Sequence, residues 1–384
     1  MSNVKNPLSM SPIFIFGTLC YAPLLEAVAG VPLRMEAAAL PGYRAAWVAG
    51  KSWPMLEERE GTLAQGALIL PEPRHLERLD FYEACFAYTR RAVRVIWQGE
   101  EIAAEAWFPP EVTGRPGNDW SLEDWAMQWG ELTALAAAEV MRQYGREAPE
   151  AVGKRFGIIR ARADAVLRSN RWTRRNRLGG GLDRSDISLH GVNHAYEGFL
   201  TLQELKVSHR RFDGGVAGPM VRAICQAADA VTVLPYDPIR DRILLIEQIR
   251  LAPFVHGDPT PWLLEAIAGL IDAGETPEAT ARREAMEEAN LNIGTLHPVG
   301  RYYPTPGGIA QVLISYIGIA DLPEKVTGLG GVDDENEDIR SILVDYETAC
   351  QMLAEGDMPN APLMISMQYL MLHRDRLRAK VSLG

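Results

Sequence analysis

Apolar and polar positions change rhythm several times along the chain. Ile13-Phe-Ile-Phe16 is a short continuous apolar run, the pattern of a buried strand, and Gly17-Thr18 turns it into a helix that begins near Pro23. Strand-like stretches follow at 62–70, 88–97 and 101–108, separated by glycine and proline, and Leu76–Glu83 between the first two reads as a helical turn ending in an acidic pair. Residues 119–168 change to a helical period, with Asp119 or Ser121 suited to an N-cap. Trp120, Trp125 and Trp129 recur there at helical spacing, which assigns them to packing rather than to a stacking platform. The pattern then breaks at Arg171–Gly181, where basic residues and three glycines read as a solvated linker.

Beyond the linker the alternation is that of strands. Tyr196–Leu200 and Gln203–Val207 read as an antiparallel sheet, and Ala230–Pro235 with Ile243–Gln248 as a hairpin around Asp237-Pro238 and Asp241. Trp262–Glu265, 312–318 and 340–344 add strands, and two helices near 347–355 and 361–376 close the chain. The expected organisation is an α+β domain at 11–112, a helical connector at 119–170, a linker at 171–186 and an α/β domain at 187–384. A length of 384 residues accommodates two or three domains.

Composition narrows the function classes. With 47% hydrophobic and 23% charged residues the chain is globular, and a net charge of −11 argues against nonspecific nucleic-acid binding. Cys20, Cys85, Cys225 and Cys350 form no CxxC pair, which predicts a reduced, cytoplasmic protein with no structural zinc. The apolar start is broken by Gly17, Thr18, Pro23 and Glu26, so no signal peptide is expected; no run of about 18 apolar residues predicts a membrane span.

The chemistry concentrates in Gly269–Leu291. Thr276 can cap a helix, Pro277 suits its first position, and Glu278 sits where negative charge is favoured. Glu284, Glu287 and Glu288 then fall at i, i+3 and i+4, on one face. Three carboxylates so close repel one another, and divalent cations resolve the conflict; Arg283 can steady Glu287. The stretch resembles the Nudix hydrolase box, G-x5-E-x7-R-E-U-x-E-E-x-G-U, with Ala285 as a small apolar member and Asn290 in place of the last glycine. Asn tolerates the left-handed backbone that ends such a helix best after Gly. The resemblance implies a metal site of Glu284, Glu288 and the Ala268 carbonyl, with Glu287 a direct or water-mediated ligand. It also implies Mg²⁺ as cofactor, with Mn²⁺ as an alternative.

Glu247-Gln-Ile-Arg250, Pro261–Glu265, Pro304–Gly308 and Asp334–Arg340 resemble the bacterial ADP-ribose pyrophosphatase subfamily. That resemblance implies Arg250 on the diphosphate, Glu265 on the terminal ribose, and Gly308 in the substrate pocket. It implies further that Phe199 stacks on adenine from the other subunit of a homodimer, with Arg222 over the opposite face, and that Glu335 serves as general base, Glu337 as a further metal ligand, and Arg283 and Glu287 complete the catalytic set. Gln311 stands where the subfamily carries Glu, which predicts lowered metal affinity or rate. Hydrolysis of ADP-ribose to AMP and ribose 5-phosphate is the expected activity, with another nucleoside diphosphate sugar as the alternative substrate.

Phe16-Gly17-Thr18-Leu19, Leu40-Pro-Gly42-Tyr43-Arg44 and Leu79-Asp80-Phe81-Tyr82-Glu83 are similar to the γ-glutamylcyclotransferase-like (AIG2-like) family. This implies a partly barrelled α+β domain in which Gly17, Thr18 and Leu19 form an anion-binding turn and Glu83 is acid/base. Phe16 and Ala84 depart from the family's Tyr and Gly, so a domain that keeps the fold without the chemistry stands beside a bifunctional protein. The order of a cyclotransferase-like domain, a helical segment and a Nudix α/β/α sandwich resembles the tellurite-resistance-associated ADP-ribose pyrophosphatases.

Overall fold

The computed structural model describes residues 11–110, 114–173, 178–331 and 337–381. The chain divides into two compact units after Ala163. In the first, β1 (Ile13–Ile15) passes through a 3₁₀ turn at Gly17–Cys20 into α1 (Ala22–Ala29). Then come β2 (Glu36–Val48), β3 (Pro54–Ile69), α2 (Pro73–Ala84), β4 (Thr89–Trp97), β5 (Glu100–Phe108) and β6 (Pro116–Asp119). Four helices follow, α3 (Leu122–Trp125), α4 (Glu131–Arg142), α5 (Pro149–Lys154) and α6 (Phe156–Asn170).

Strand order in this unit is β3-β1-β5-β4-β2-β6, and β2 also pairs with β3, so five strands close into a ring. Closure leaves those five without free edges and packs Phe14, Leu40, Leu56, Val95 and Ala106 inside. The strand β2 is longer than its apolar pattern suggests. Its register with β3 shifts between Pro41 and Tyr43, where Gly42 has φ 79°, so the Pro-Gly pair marks a bulge inside a strand and not its end. Gly17 is fixed by two constraints: φ is 65°, and a Cβ there would lie 2.6 Å from Cγ of Pro54. Trp125 is buried with its Nε1 donating to the Ser52 carbonyl at 2.9 Å, and Trp47 meets Trp120 edge-on at 6.2 Å. These tryptophans pack within the first unit.

The second unit begins with β7 (Ile187–Glu197), β8 (Thr201–Arg210) and β9 (Val216–Gln226), followed by β10 (Ala230–Asp237), β11 (Arg242–Ile249) and α7 (Leu251–His256). It continues through β12 (Trp262–Glu265), β13 (Ile267–Leu270), α8 (Pro277–Ala289), β14 (Leu296–Tyr302), β15 (Ile309–Ala310) and β16 (Leu313–Ile319). It ends with β17 (Leu329–Gly330), β18 (Ile339–Asp345), α9 (Tyr346–Glu355) and α10 (Ala361–Val381). An eight-stranded mixed sheet runs β14-β16-β10-β11-β18-β17, with β12 beside β11 and β13 beside β10.

Alternate side chains of its central strands feed two cores. Val231, Val233, Leu244 and Ile246 meet Ala281, Ala285 and Ala289 of α8. Leu234, Tyr236, Ile243 and Leu245 meet Ala349 of α9 and Leu363, Met367 and Leu370 of α10. Helices therefore cover both faces of this sheet. The other sheet, β15-β9-β8-β7, is largely exposed. The strand expected through Tyr196–Leu200 ends at Glu197. Gly198 turns the chain, its N–H donating to the Leu200 carbonyl at 2.9 Å, which leaves Phe199 at the hairpin tip. Among the described residues no helix is long and apolar enough to cross a membrane.

Candidate active site

The helix α8 starts and stops on the residues its sequence signals. Thr276 accepts the Ala279 N–H at 3.2 Å on its hydroxyl, Pro277 is the first helical residue, and Asn290 takes the left-handed conformation at φ 47°. The Leu291 N–H then returns to the Ala285 carbonyl at 2.9 Å, fixing the exit. Alanines at 281, 285 and 289 are small enough to bring the helix down onto β10 and β13. The acidic face is thereby pressed against backbone. A Cβ on Gly269 would lie 1.9 Å from the Glu284 carboxylate, and one on Gly330 would lie 2.1 Å from the Glu288 carbonyl. Only glycine permits both approaches.

Arg283 is the hub of the cluster. Its Nη1 donates to Glu284 and to Glu287, each at 2.8 Å, while Nε and Nη2 grip Glu275 at 3.1 Å and Nη2 reaches the Leu270 carbonyl at 3.2 Å. Burial opposes its charge, but the hydrogen bonds it donates to Glu275 and the charge of Glu284 hold the guanidinium well above its ordinary pKa. Burial pulls against Glu275 too, yet Arg283 and the Thr280 hydroxyl keep its carboxyl below the usual range.

The neighbouring carboxyls behave in the opposite way. Glu288 is 2% exposed, and one oxygen accepts the Ala268 N–H at 3.1 Å. Burial, then repulsion from Glu284 and Glu337, pushes it up to about 8. Burial likewise raises Glu284 to about 7, against the pull of Arg283, with Glu287 and Glu337 adding repulsion. Among the described residues no three acidic, histidine or cysteine side chains converge as a ready-made metal cage.

The structure thus brings Ala268, Arg283, Glu284, Glu287, Glu288 and Glu337 to one place. Glu335 lies outside the described residues. Arg250 and Glu265 form a second group: Nε and Nη2 of Arg250 donate to one Glu265 oxygen at 2.9 and 2.6 Å. The other oxygen accepts from Asn360 Nδ2 at 2.7 Å. Asn360 was not legible as a site residue. Its sequence signal is that of a helix start, and its Oδ1 does accept the Leu363 N–H at 3.1 Å; its reach to Glu265 is a tertiary fact. Gln311 donates from Nε2 to the Ala228 carbonyl at 2.7 Å, a bond that a carboxylate there could not make. The Gly308 carbonyl accepts the Cys225 N–H at 2.8 Å, tying its loop to β9. Phe199, 62% exposed, is at the tip of the β7–β8 hairpin, and Arg222 is on β9.

The family model described as a NUDIX domain matches residues 227–365, and the ADP-ribose pyrophosphatase of Escherichia coli is 39% identical over 195 residues, covering 51% of this chain and 92% of the relative. The chain belongs to the Nudix family. This Nudix hydrolase is also similar to the ADP-ribose pyrophosphatase of Haemophilus influenzae, at 36% identity over 51% of this chain and 90% of that one. The GDP-mannose pyrophosphatase of Klebsiella pneumoniae is 32% identical over 45% of this chain and 86% of its own length.

The first unit of the Nudix hydrolase carries a second domain, matched over residues 13–127 by the family model described as γ-glutamyl cyclotransferase, AIG2-like. Thr18, Leu19 and Glu83 line one cavity of about 360 Å³ in this unit. Burial, then the charge of Asp80, pushes the Glu83 carboxyl up to about 8. Asp80 itself accepts from Trp107 Nε1 at 3.0 Å and pairs with Arg90 at 2.8 Å.

Proposed function

We propose that this Nudix hydrolase cleaves the diphosphate of ADP-ribose, yielding AMP and ribose 5-phosphate, with Mg²⁺ as cofactor and Mn²⁺ as a substitute. The observation that carries the reading is the packing of Glu284 over Gly269 beside Glu287 and Glu288, with Arg283 clamping two of the three. ADP-ribose is favoured over a mannose nucleotide because the ADP-ribose pyrophosphatase relatives match at higher identity and over more of their length.

The donors present suit a hard divalent cation. Burial opposes the ordinary ionisation of Glu284 and Glu288, Glu287 and Glu337 add repulsion on Glu284, Glu284 and Glu337 add it on Glu288, and every donor offered is oxygen. Glu284, Glu288 and the Ala268 carbonyl would hold the ion, with Glu287 and Glu337 beside them. When bound, it neutralises phosphate charge and lowers the pKa of a water. The net reaction adds one water across the bridging P–O–P: a P–O bond forms to one phosphorus and the bridging bond breaks.

The chain's own residues position the rest. Arg250 leaves Glu265 to take the diphosphate, a bidentate use of the guanidinium. Glu265, still held by Asn360, then accepts from a ribose hydroxyl. Glu335 removes the proton from the attacking water. Phe199 stacks on adenine across a homodimer built on β7–β9, with Arg222 on the other face. One face of that sheet exposes Ile187, Leu189 and Val192, an apolar surface that a second copy would cover. Incubating the protein with ADP-ribose and Mg²⁺ and resolving the products tests the reading; AMP formation lost in Glu288→Gln supports it.

A second reading, for the first unit, is γ-glutamyl cyclisation, favoured by the enclosed carboxyl of Glu83. The substrate's α-amine attacks its γ-carbonyl carbon and the amide C–N bond breaks. Glu83 carries the proton from the attacking nitrogen to the departing amine, giving 5-oxoproline. Release of 5-oxoproline from γ-glutamyl compounds, lost in Glu83→Gln, tests it.

A further inference from the structure

Residues ahead of the Nudix match pack behind the segment that carries Gly308 and Gln311. The NUDIX model begins at residue 227, yet Arg168 near the end of α6 and Trp172 just after it meet side chains from inside the match. Arg168 Nε lies 3.3 Å from Oδ2 of Asp229, and its Nη2 donates to Asp164, one helical turn back, at 2.8 Å. Trp172 stands in the stretch whose sequence reads as a solvated linker. Its ring instead lies under the Arg301 guanidinium at 4.2 Å and 6.2 Å from the ring of Tyr303.

Asp229 is the junction of this group. It is 3% exposed, and its Oδ1 accepts the Val312 N–H at 3.0 Å. Burial raises its carboxyl above the ordinary range, and the Val312 N–H, then the charges of Arg168 and Arg301, oppose the rise. Neighbouring bonds continue the seam. The Gly308 carbonyl accepts the Cys225 N–H at 2.8 Å, the Ala310 carbonyl accepts the Ala227 N–H at 3.3 Å, and the Gln311 side chain donates to the Ala228 carbonyl at 2.7 Å. The 308–312 segment is therefore laced to 225–230 by backbone bonds at one end and by two side chains, Gln311 and Asp229, at the other. An uncompensated carboxylate is strongly disfavoured at so buried a position, and the two guanidiniums supply compensating charge.

We propose that Arg168 and Arg301 are positioning residues for the hydrolysis: by holding Asp229 on the Val312 N–H they fix the 308–312 segment, and with it the part of the substrate pocket given to Gly308. The inference rests on the ADP-ribose reading. It extends that reading to two arginines that it gives no contact with substrate or metal, one of them outside the Nudix match. Without either arginine the carboxyl turns away or takes up a proton, and the Val312 N–H loses its acceptor. A loosened pocket wall weakens the ground state and the transition state alike, so the loss falls on KM and not on kcat.

The experiment measures kcat and KM for ADP-ribose at saturating Mg²⁺ in the full chain, in Arg168→Gln, Arg301→Gln and Asp229→Ala, and in the pair Arg168→Gln with Asp229→Ala, each below its melting transition. Each single variant should raise KM by about ten-fold and keep kcat within about two-fold of wild type. Arg168→Lys, which keeps a cation beside Asp229, should recover part of the loss. The pair should raise KM no further than Asp229→Ala alone, because the arginine acts through that carboxyl. A merely structural role lowers the melting temperature and the active fraction and leaves KM at its wild-type value. Unchanged KM in both arginine variants, or effects of Arg168→Gln and Asp229→Ala that multiply in the pair, overturns the inference and leaves the ADP-ribose reading standing. If Asp229→Ala does not fold, the arginine variants decide alone. No AMP from wild type overturns the inference and the reading together.

Discussion

Single residues in this chain are set by what approaches them. Gly269 is the sharpest instance: the Glu284 carboxylate occupies the space of its missing Cβ. Gly269→Ala therefore displaces one carboxyl of the box without removing any, and a displacement of about 1 Å at a reacting centre costs about a hundred-fold in rate. ADP-ribose hydrolysis by Gly269→Ala should fall by about that factor with the melting temperature nearly unchanged; a rate within two-fold of wild type would refute this placement of Glu284. Glu83 gives a prediction about stability. Its carboxyl is raised from the ordinary 4.5 to about 8, first by burial and then by Asp80, so the folded chain keeps a proton that the unfolded chain releases. The contribution is complete below about pH 4.5, declines as pH rises, and is gone above about pH 8. Between about pH 6 and about pH 9 the melting temperature of the first unit should fall further in wild type than in Glu83→Gln, and parallel curves would contradict the assignment.

At the scale of elements, α8 was readable because its signals are local. A Thr-Pro start, a first-turn Glu, carboxylates at i, i+3 and i+4, and an Asn stop all lie within fifteen residues of one another, and the Thr276 cap, the Pro277 start, the Asn290 stop and the Arg283–Glu287 contact stand where those signals put them. Replacing Asn290, at φ 47°, with Val should cost the second unit about 1–2 kcal/mol in denaturant unfolding, because a β-branched side chain meets the left-handed penalty in full. The strand β2 was obscured for a physical reason. Its Pro-Gly pair reads as a turn, and the pairing with β3 that turns it into a bulge is not written locally. Asn360 and Glu265, 95 positions apart, meet only once α10 docks on the sheet. Local chemistry was legible; the partners that tertiary packing brings to it were not.

The molecule combines two units, and burial raises carboxyl pKa in each, at Glu83 in the first and at Glu284 and Glu288 in the second. The exposed sheet β7–β9 sets the expectation at this scale. Leu189, 59% exposed, and Val192, 40% exposed, lie on one apolar face that a homodimer would bury. Leu189→Lys with Val192→Glu should convert a particle of twice the chain mass, measured by light scattering, into a monomer. If Phe199 serves the partner's site, ADP-ribose turnover should fall with it, whereas a monomeric wild-type chain would remove the dimer from the account.

Whether the box on α8 is a working diphosphatase site is measured most directly by product analysis of ADP-ribose incubated with the full chain and Mg²⁺, beside Glu288→Gln and a chelated sample. Wild type should release AMP and ribose 5-phosphate in equal amounts, and both should fall by about a hundred-fold or more in the variant and on chelation. No AMP from wild type, or equal AMP from wild type and Glu288→Gln, would contradict the reading.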